Sequence, residues 1–200
     1  FIDFLANIWS YEVAYHLANK YNIGTSKCFD GASTIFWQVD VNGRARSGKI
    51  MKYNASNGKR IKEPYNHISW AHKALKLEHF NLEQCYFGEH LLNEDLSKPI
   101  AITESEKTAI LCSVFLPEFI WLACGGLSNL NEAKTKVLRG RSVVLFPDLK
   151  CYDKWNAKIP SLTKLASFRT STLLEDKASE SERARGLDIA DFLIDVVTNH

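Results

Sequence analysis

Ile100-Ala-Ile-Thr-Glu104-Ser-Glu-Lys-Thr-Ala-Ile110, Phe119-Ile-Trp-Leu-Ala-Cys124-Gly-Gly-Leu127 and Ser142-Val-Val-Leu-Phe-Pro-Asp148 set the rhythm of the second half of the chain. Each carries a short apolar run, and the runs are separated by stretches of helical spacing, Ser105 to Phe115 and Asn129 to Leu138. Runs so uniformly apolar suit strands buried on both faces. Alternating with helices, they predict βαβ units around a parallel sheet with right-handed crossovers. Ligands of such sheets bind beyond the carboxyl ends of the strands. The informative residues are therefore Glu104, the Gly125-Gly126 turn and Asp148. Two carboxylates on neighbouring strand ends, with a glycine turn that lets a phosphate approach the backbone, can hold a hard cation against phosphate oxygens. For Glu106, at the same helix start, a dipole-favoured acid worth under about 1 kcal/mol is the simpler reading.

The first half reads differently. Leu5, Ile8, Trp9, Val13 and Leu17 keep helical spacing and predict one amphipathic helix over 2–20, stopped by Gly24. From Thr34 the pattern alternates, with Ile35, Trp37, Val39 and Val41 on one face, and Asn42-Gly43 signals a type I′ hairpin. A return strand over Arg44–Tyr53 and a third over Lys59–Glu63, after Asn57-Gly58, complete an antiparallel meander over 33–63. Residues 66–96 fit neither period and predict short helices and irregular connections. The fold class expected is α/β: a parallel sheet flanked by helices over 97–200, preceded by a smaller α+β lobe with an antiparallel meander over 1–96.

The net charge of +2 conceals an uneven distribution. Arg44, Arg46, Lys49, Lys52, Lys59, Arg60 and Lys62 fall between Val41 and Lys62 with no acid among them. Cations interleaved with Phe36, Trp37, Tyr53 and Tyr65 are a common way to hold single strands, phosphates on the charges and bases on the rings. The plainer alternative is a solvated face with the aromatics in the core. The longest apolar stretches fall far short of the roughly 20 residues that cross a bilayer, so no membrane partner is expected. The five scattered cysteines suit reduced thiols in a cytoplasmic protein rather than a disulfide framework. His67, His72, His79, Cys85 and His90 match no compact zinc knuckle, and no zinc is expected here. A chain that opens on Phe1 without an initiator Met reads as a piece of a longer protein.

The order strand–Glu–helix, strand–Gly-Gly, strand–Pro-Asp resembles the toprim domain, in the form found in phage and mobile-element primases. The resemblance runs over roughly 97–170 and rests on Glu104-Ser-Glu-Lys107, Gly125-Gly126 and Pro147-Asp148. It implies a primase-like fold that takes part in DNA replication, with Glu104 as catalytic acid or base. It also implies Mg²⁺, or Mn²⁺, held by Glu104 and by Asp148 as the first acid of an Asp-x-Asp pair. This chain departs at the second acid, where Lys150 stands, and Asp153 is the candidate to reach back as a further metal ligand. Gly186-Leu-Asp188-Ile-Ala-Asp191 is similar to a segment that follows the toprim core of such primases, although a solvated acidic helix face explains it equally well. The partners implied are single-stranded DNA or RNA template, nucleotides, and a replicative helicase or other mobile-element protein. Three readings follow: a nucleotidyltransferase, a non-catalytic nucleic-acid-binding module that kept the fold, and a toprim nuclease.

Overall fold

The structure, a computed structural model, describes residues 1–198, and the chain divides into two compact units, Phe1–Phe87 and Gly88–His200. In the first, the predicted single helix is two: α1 (Ile2–Ile8) and α2 (Tyr11–Lys20). Ser10 causes the break. Its backbone is extended and its hydroxyl accepts from the Val13 amide at 3.2 Å, capping a new helix where apolar spacing alone runs on.

Strands β1 (Ile23–Ser26), β2 (Ser33–Val39), β3 (Ala45–Met51) and β4 (Ile68–Trp70) form an antiparallel sheet in that order. Two expectations are corrected here. Gly24 lies inside β1 rather than ending a helix, and the third meander strand is not Lys59–Glu63 but β4. Asn54 accepts from Gly58 to close a turn, and the returning chain makes only the Tyr53–Arg60 bridge before leaving the sheet. The hairpin also differs from type I′. Gly43 donates to Asp40, the Asp40 and Arg44 backbones bond at 3.0 Å, and the register shifts between Gln38 and Val39. Trp37 lies against the glycines of its neighbours: a Cβ at Gly24 or Gly48 would come within 2.8 Å of the indole. On the opposite face Phe36 is fully buried, packed by Phe1, Tyr53 and Phe87. A short helix, α3 (Ala71–Ala74), follows β4, and His72 stacks on Phe80 at 4.7 Å.

The second unit is built on β5 (Ile100–Thr103), β6 (Ile120–Ala123), β7 (Ser142–Leu145) and β8 (Ser167–Thr170), all parallel, in the order β6-β5-β7-β8. The strand β8 extends the sheet beyond what the apolar rhythm predicts. Helix α4 (Glu106–Phe115) joins β5 to β6 and is buried along most of its length. The predicted helix between β6 and β7 is instead a single turn, α5 (Glu132–Thr135), between 3-10 turns, because Asn131 caps it late. Helices α6 (Tyr152–Asn156) and α7 (Ile159–Leu162) lead to β8, and α8 (Leu173–Lys177), α9 (Glu180–Arg185) and α10 (Ile189–Thr198) follow it. Arg141, just before β7, donates to the carbonyls of Leu92, Asp95 and Lys98 and fastens the segment that enters the sheet. Among the described residues all five cysteines are free thiols, three of them buried, and no helix is long and apolar enough to cross a membrane.

Gly58 gives a test of the first unit. It is buried with φ +61, and a Cβ there would fall within the ring of Phe4, itself 6% exposed. Gly58→Ala combines a left-handed backbone penalty with overpacking and should cost about 2–4 kcal/mol in denaturant unfolding. Gly43→Ala has φ +76 but open space around it and should cost about 1 kcal/mol. Equal losses would show that Phe4 yields freely.

Candidate functional site

The chain leaves β5 toward β6 on one side and leaves β7 toward β8 on the other, so the crevice between the β5 and β7 ends is the topological switch point of the sheet. Backbone hydrogen bonds carry the strand ends to one level. Phe146 donates to Ile102 at 2.9 Å, Cys124 to Thr103 at 3.0 Å, and Gly125 to the Glu104 carbonyl at 2.8 Å. Glu104 and Asp148 therefore follow adjacent, hydrogen-bonded strands.

Two further acids arrive from the end of the chain. Gly186, in the left-handed region, ends α9, and the Leu149 amide bonds the Leu187 carbonyl at 3.0 Å. Asp188 then caps α10, accepting from the Asp191 amide at 2.8 Å, and its other oxygen accepts from the Thr108 hydroxyl at 2.5 Å. Asp191 accepts from the Lys107 ammonium at 3.1 Å. The first turn of α4 thus gathers both acids, which are not simply a solvated helix face.

These placements act together on Asp148. Burial first, then the charges of Asp188, Glu104 and Asp191, raise its carboxyl to about 7, with Lys107 opposing. A side chain that water would leave fully ionised is thus held well above the ordinary carboxylate range. The cation that moderates the cluster is Lys107, to which the sequence reading assigned no role. Lys150, expected beside Asp148, is exposed on a left-handed turn, and it lines a cleft with Tyr152, Asp153 and Glu175. Asp153 faces that cleft too and is not among the groups that act on Asp148.

Gly125 and Gly126 both take positive φ, as a tight turn after a strand requires. A buried Glu106 sets its carboxylate near this turn, where a Cβ on Gly125 would be 3.7 Å from it. That charge makes the turn less hospitable to a bare phosphate than glycines alone would suggest. In donor chemistry the site fits a hard divalent cation: carboxylate oxygens outnumber the one ammonium, and burial leaves their charge poorly screened. In position the fit is looser, since among the described residues no group of three or more His, Cys, Asp or Glu side chains is set to hold a metal ion.

The basic segment of the first unit is partly committed internally. Buried Asp40 accepts from the Asn42 and Arg44 amides and from the guanidinium groups of Arg44 at 3.2 Å and Arg46 at 2.7 Å. Burial opposes its ionisation, but these donors outweigh burial and hold the carboxyl at about 2. Their contribution to stability is present above the ordinary value of 3.8 and is lost as pH falls through about 2. Arg46 also bonds Glu83 at 2.7 Å, and the Lys52 ammonium donates to the Asp30 carbonyl. Lys49 has a partner as well. The side chains of Lys59, Arg60 and Lys62 form no ion pair or hydrogen bond among the described residues, although the Lys59 amide donates to the Asn57 side chain at 2.9 Å.

Asp148 gives the electrostatic test of the site. Its folded carboxyl titrates near 7 against an ordinary 3.8, so between these values the folded chain holds a proton that the unfolded chain has lost. Stability should fall as pH rises through that window and level off above it. Asp148→Asn lacks the fall, so in denaturant unfolding its advantage over wild type should grow between about pH 4 and pH 8. With partial solvent screening the growth should be on the order of 2 kcal/mol. An advantage independent of pH would mean that the four acids do not share one site.

Among solved structures, the chain is similar to the primase fragment of the bacteriophage T7 primase-helicase protein. Identity is 14% and the TM-score 0.51, with 86% of this chain and 69% of that one covered, which is a likeness of fold. Weaker matches are the primase domains in a bacteriophage T7 lagging-strand DNA polymerase assembly and a DNA primase domain from Pseudomonas aeruginosa. The first has 16% identity, a TM-score of 0.46, and coverage of 78% and 73%; the second has 8%, 0.45, and 86% and 57%. No curated protein matches. The family model described as Domain of unknown function (DUF6371) matches residues 1–149, a span that holds Glu104, the Gly125-Gly126 turn and Asp148, and the chain belongs to that family.

Proposed function

We infer that the chain is a primase-like nucleic-acid-processing module whose second unit carries a toprim-type site for metal-dependent nucleotidyl transfer on a single-stranded template. The observation that carries the reading is geometric: Glu104 and Asp148 follow adjacent, hydrogen-bonded strands at the switch point of the sheet, and Asp188 and Asp191 are brought to the same end by Thr108, Lys107 and the Leu149–Leu187 bond. Structural acids are normally paired; several gathered around one cation are suited to a substrate or ion that brings positive charge.

Glu104 stands at the end of the central strand β5 and takes the proton-transfer role, accepting from or returning to a reacting hydroxyl. Glu104 and Asp148 are the residues that would hold Mg²⁺ or Mn²⁺, with Asp188 and Asp191 adding negative charge from their places on Thr108 and Lys107. When bound, that ion supplies neutralisation of charge on phosphate oxygens. Lys107 positions Asp191 and keeps the cluster tolerable before any ligand arrives. Template binding falls to Lys59, Arg60 and Lys62, since Arg44 and Arg46 hold the hairpin through Asp40. A helicase or another mobile-element protein is the partner class in keeping with this role.

A second reading, the non-catalytic module, is favoured by the internal use of the acids: Asp191 is paired with Lys107, and Asp188 serves Thr108 and the α10 cap. Primer synthesis on single-stranded template with Mg²⁺ or Mn²⁺ separates the two. Wild type should synthesise, and Glu104→Gln should lose about 100-fold or more of the rate. Synthesis that survives this change would remove Glu104 from its role, and no synthesis by wild type would favour the second reading.

Binding has its own test. Neutralising Lys59, Arg60 and Lys62 together should weaken single-stranded DNA binding and flatten its salt dependence by about 0.7 for each phosphate no longer neutralised. Arg44→Gln with Arg46→Gln should instead lower thermal stability through the unpaired Asp40. A triple variant with unchanged salt dependence would place the template elsewhere.

A further inference from the structure

Four aromatic rings lie among or beside the cations of the first unit, and the fold separates their roles. Phe36 and Tyr53 pack with Phe1 in the interior, and Trp37 lies across Gly24 and Gly48. Tyr65 is 54% exposed. Its ring lies on the buried ring of His67, with centroids 4.3 Å apart and planes 28° from parallel. His67 is itself fixed on three sides. Phe29 meets its ring edge-on at 5.3 Å, its Nδ1 donates to the Ile61 carbonyl at 3.3 Å, and its own carbonyl accepts from the Lys52 amide at 3.4 Å. No second ring packs on Tyr65 and its hydroxyl makes no hydrogen bond among the described residues. One face of the tyrosine is therefore backed by an anchored neighbour, and the other is turned to solvent.

We infer that Tyr65 is the stacking platform of a single-stranded nucleic-acid site on the first unit, taking one base on its outer face while Lys59, Arg60 and Lys62 neutralise neighbouring phosphates. The inference rests on the template-binding reading above and adds to it a contact with bases. The three cations precede Tyr65 in a segment whose one acid is Glu63, and their side chains form no ion pair or hydrogen bond among the described residues. Lys62 is three residues from Tyr65, a chain distance of at most about 11 Å, so ring and ammonium serve the same short stretch of strand. Because His67 already orders the ring, a base that lands on it immobilises little that was free. Every base has an aromatic face, so the ring sets no sequence preference. It does prefer single strands, since in a duplex the base faces are closed by their own neighbours.

The test is binding of a labelled oligothymidylate, and of the same backbone with abasic sugars, over a salt series. Wild type should hold the base-bearing strand at least about tenfold more tightly than the abasic one, the value of one stacked base. Tyr65→Ala should lower that preference by about tenfold through weaker binding of the base-bearing strand alone. Its salt slope should stay that of wild type, because a ring neutralises no phosphate. Tyr65→Phe and Tyr65→Trp should keep wild-type affinity for both strands. Preference is a ratio measured within each variant, so it reads the stack even where Tyr65→Ala loosens His67 and lowers the melting temperature. Wild-type preference in Tyr65→Ala, equal losses on the two strands, or no binding by wild type would overturn the assignment. The cations are read separately. A triple Lys59, Arg60 and Lys62 variant that keeps the wild-type salt slope, while Tyr65→Ala loses its preference for bases, would sink the phosphate contacts and leave the stacking platform standing.

Discussion

Parallel pairing of β5 with β7 is the constraint on which the second unit depends. Because Ile100, Ala101 and Ile102 lie opposite Val143, Val144 and Leu145, the chain segments that follow emerge side by side. Their onward connections leave in opposite directions, so no crossover covers the gap. Acids placed after those strands are forced into one partly dehydrated crevice, where their repulsion is much less screened than in water. The rest of the unit answers that repulsion. Lys107 supplies the nearest positive charge, Thr108 supplies a donor, and α10 is oriented so that Asp188 and Asp191 meet both. The electrostatic strain left on Asp148 is what distinguishes this crevice from an ordinary surface cluster.

The first unit answers a different charge problem. Seven cations crowd a short stretch of sequence, and the hairpin tolerates them by folding two around a buried carboxylate. Asp40 thus has a structural use that fixes Arg44 and Arg46 and takes them out of the pool available to phosphates. The cations without an ion pair among the described residues lie on the excursion after the Asn54–Gly58 turn, where Lys59 and Lys62 are exposed. A count of basic residues overstates the free positive charge whenever one buried acid lies just outside the counted window, as Asp40 does here.

How far the sequence could be read follows from the range of each physical signal. Apolar periodicity and turn chemistry act over a few residues, and they determined the alternation of β5, α4, β6 and β7, the glycine turn after β6, the hairpin between β2 and β3, and the position of Glu104 and Asp148 just past strand ends. Where a local signal of one kind overlay another, periodicity misled: Ser10 splits a helix that apolar spacing continues, and Asn131 shortens one the same spacing predicts. Tertiary structure decided everything that depends on residues far apart in the chain. It chose the strand order that makes a switch point, brought Asp188 to Thr108 across 80 positions, made Lys107 rather than Lys150 the counter-charge, and turned Lys150 and Asp153 into one cleft. The reason is that a charge in a sequence carries no direction. Its effect depends on distance and burial, and both are set only when the strands pair and the helices close over them.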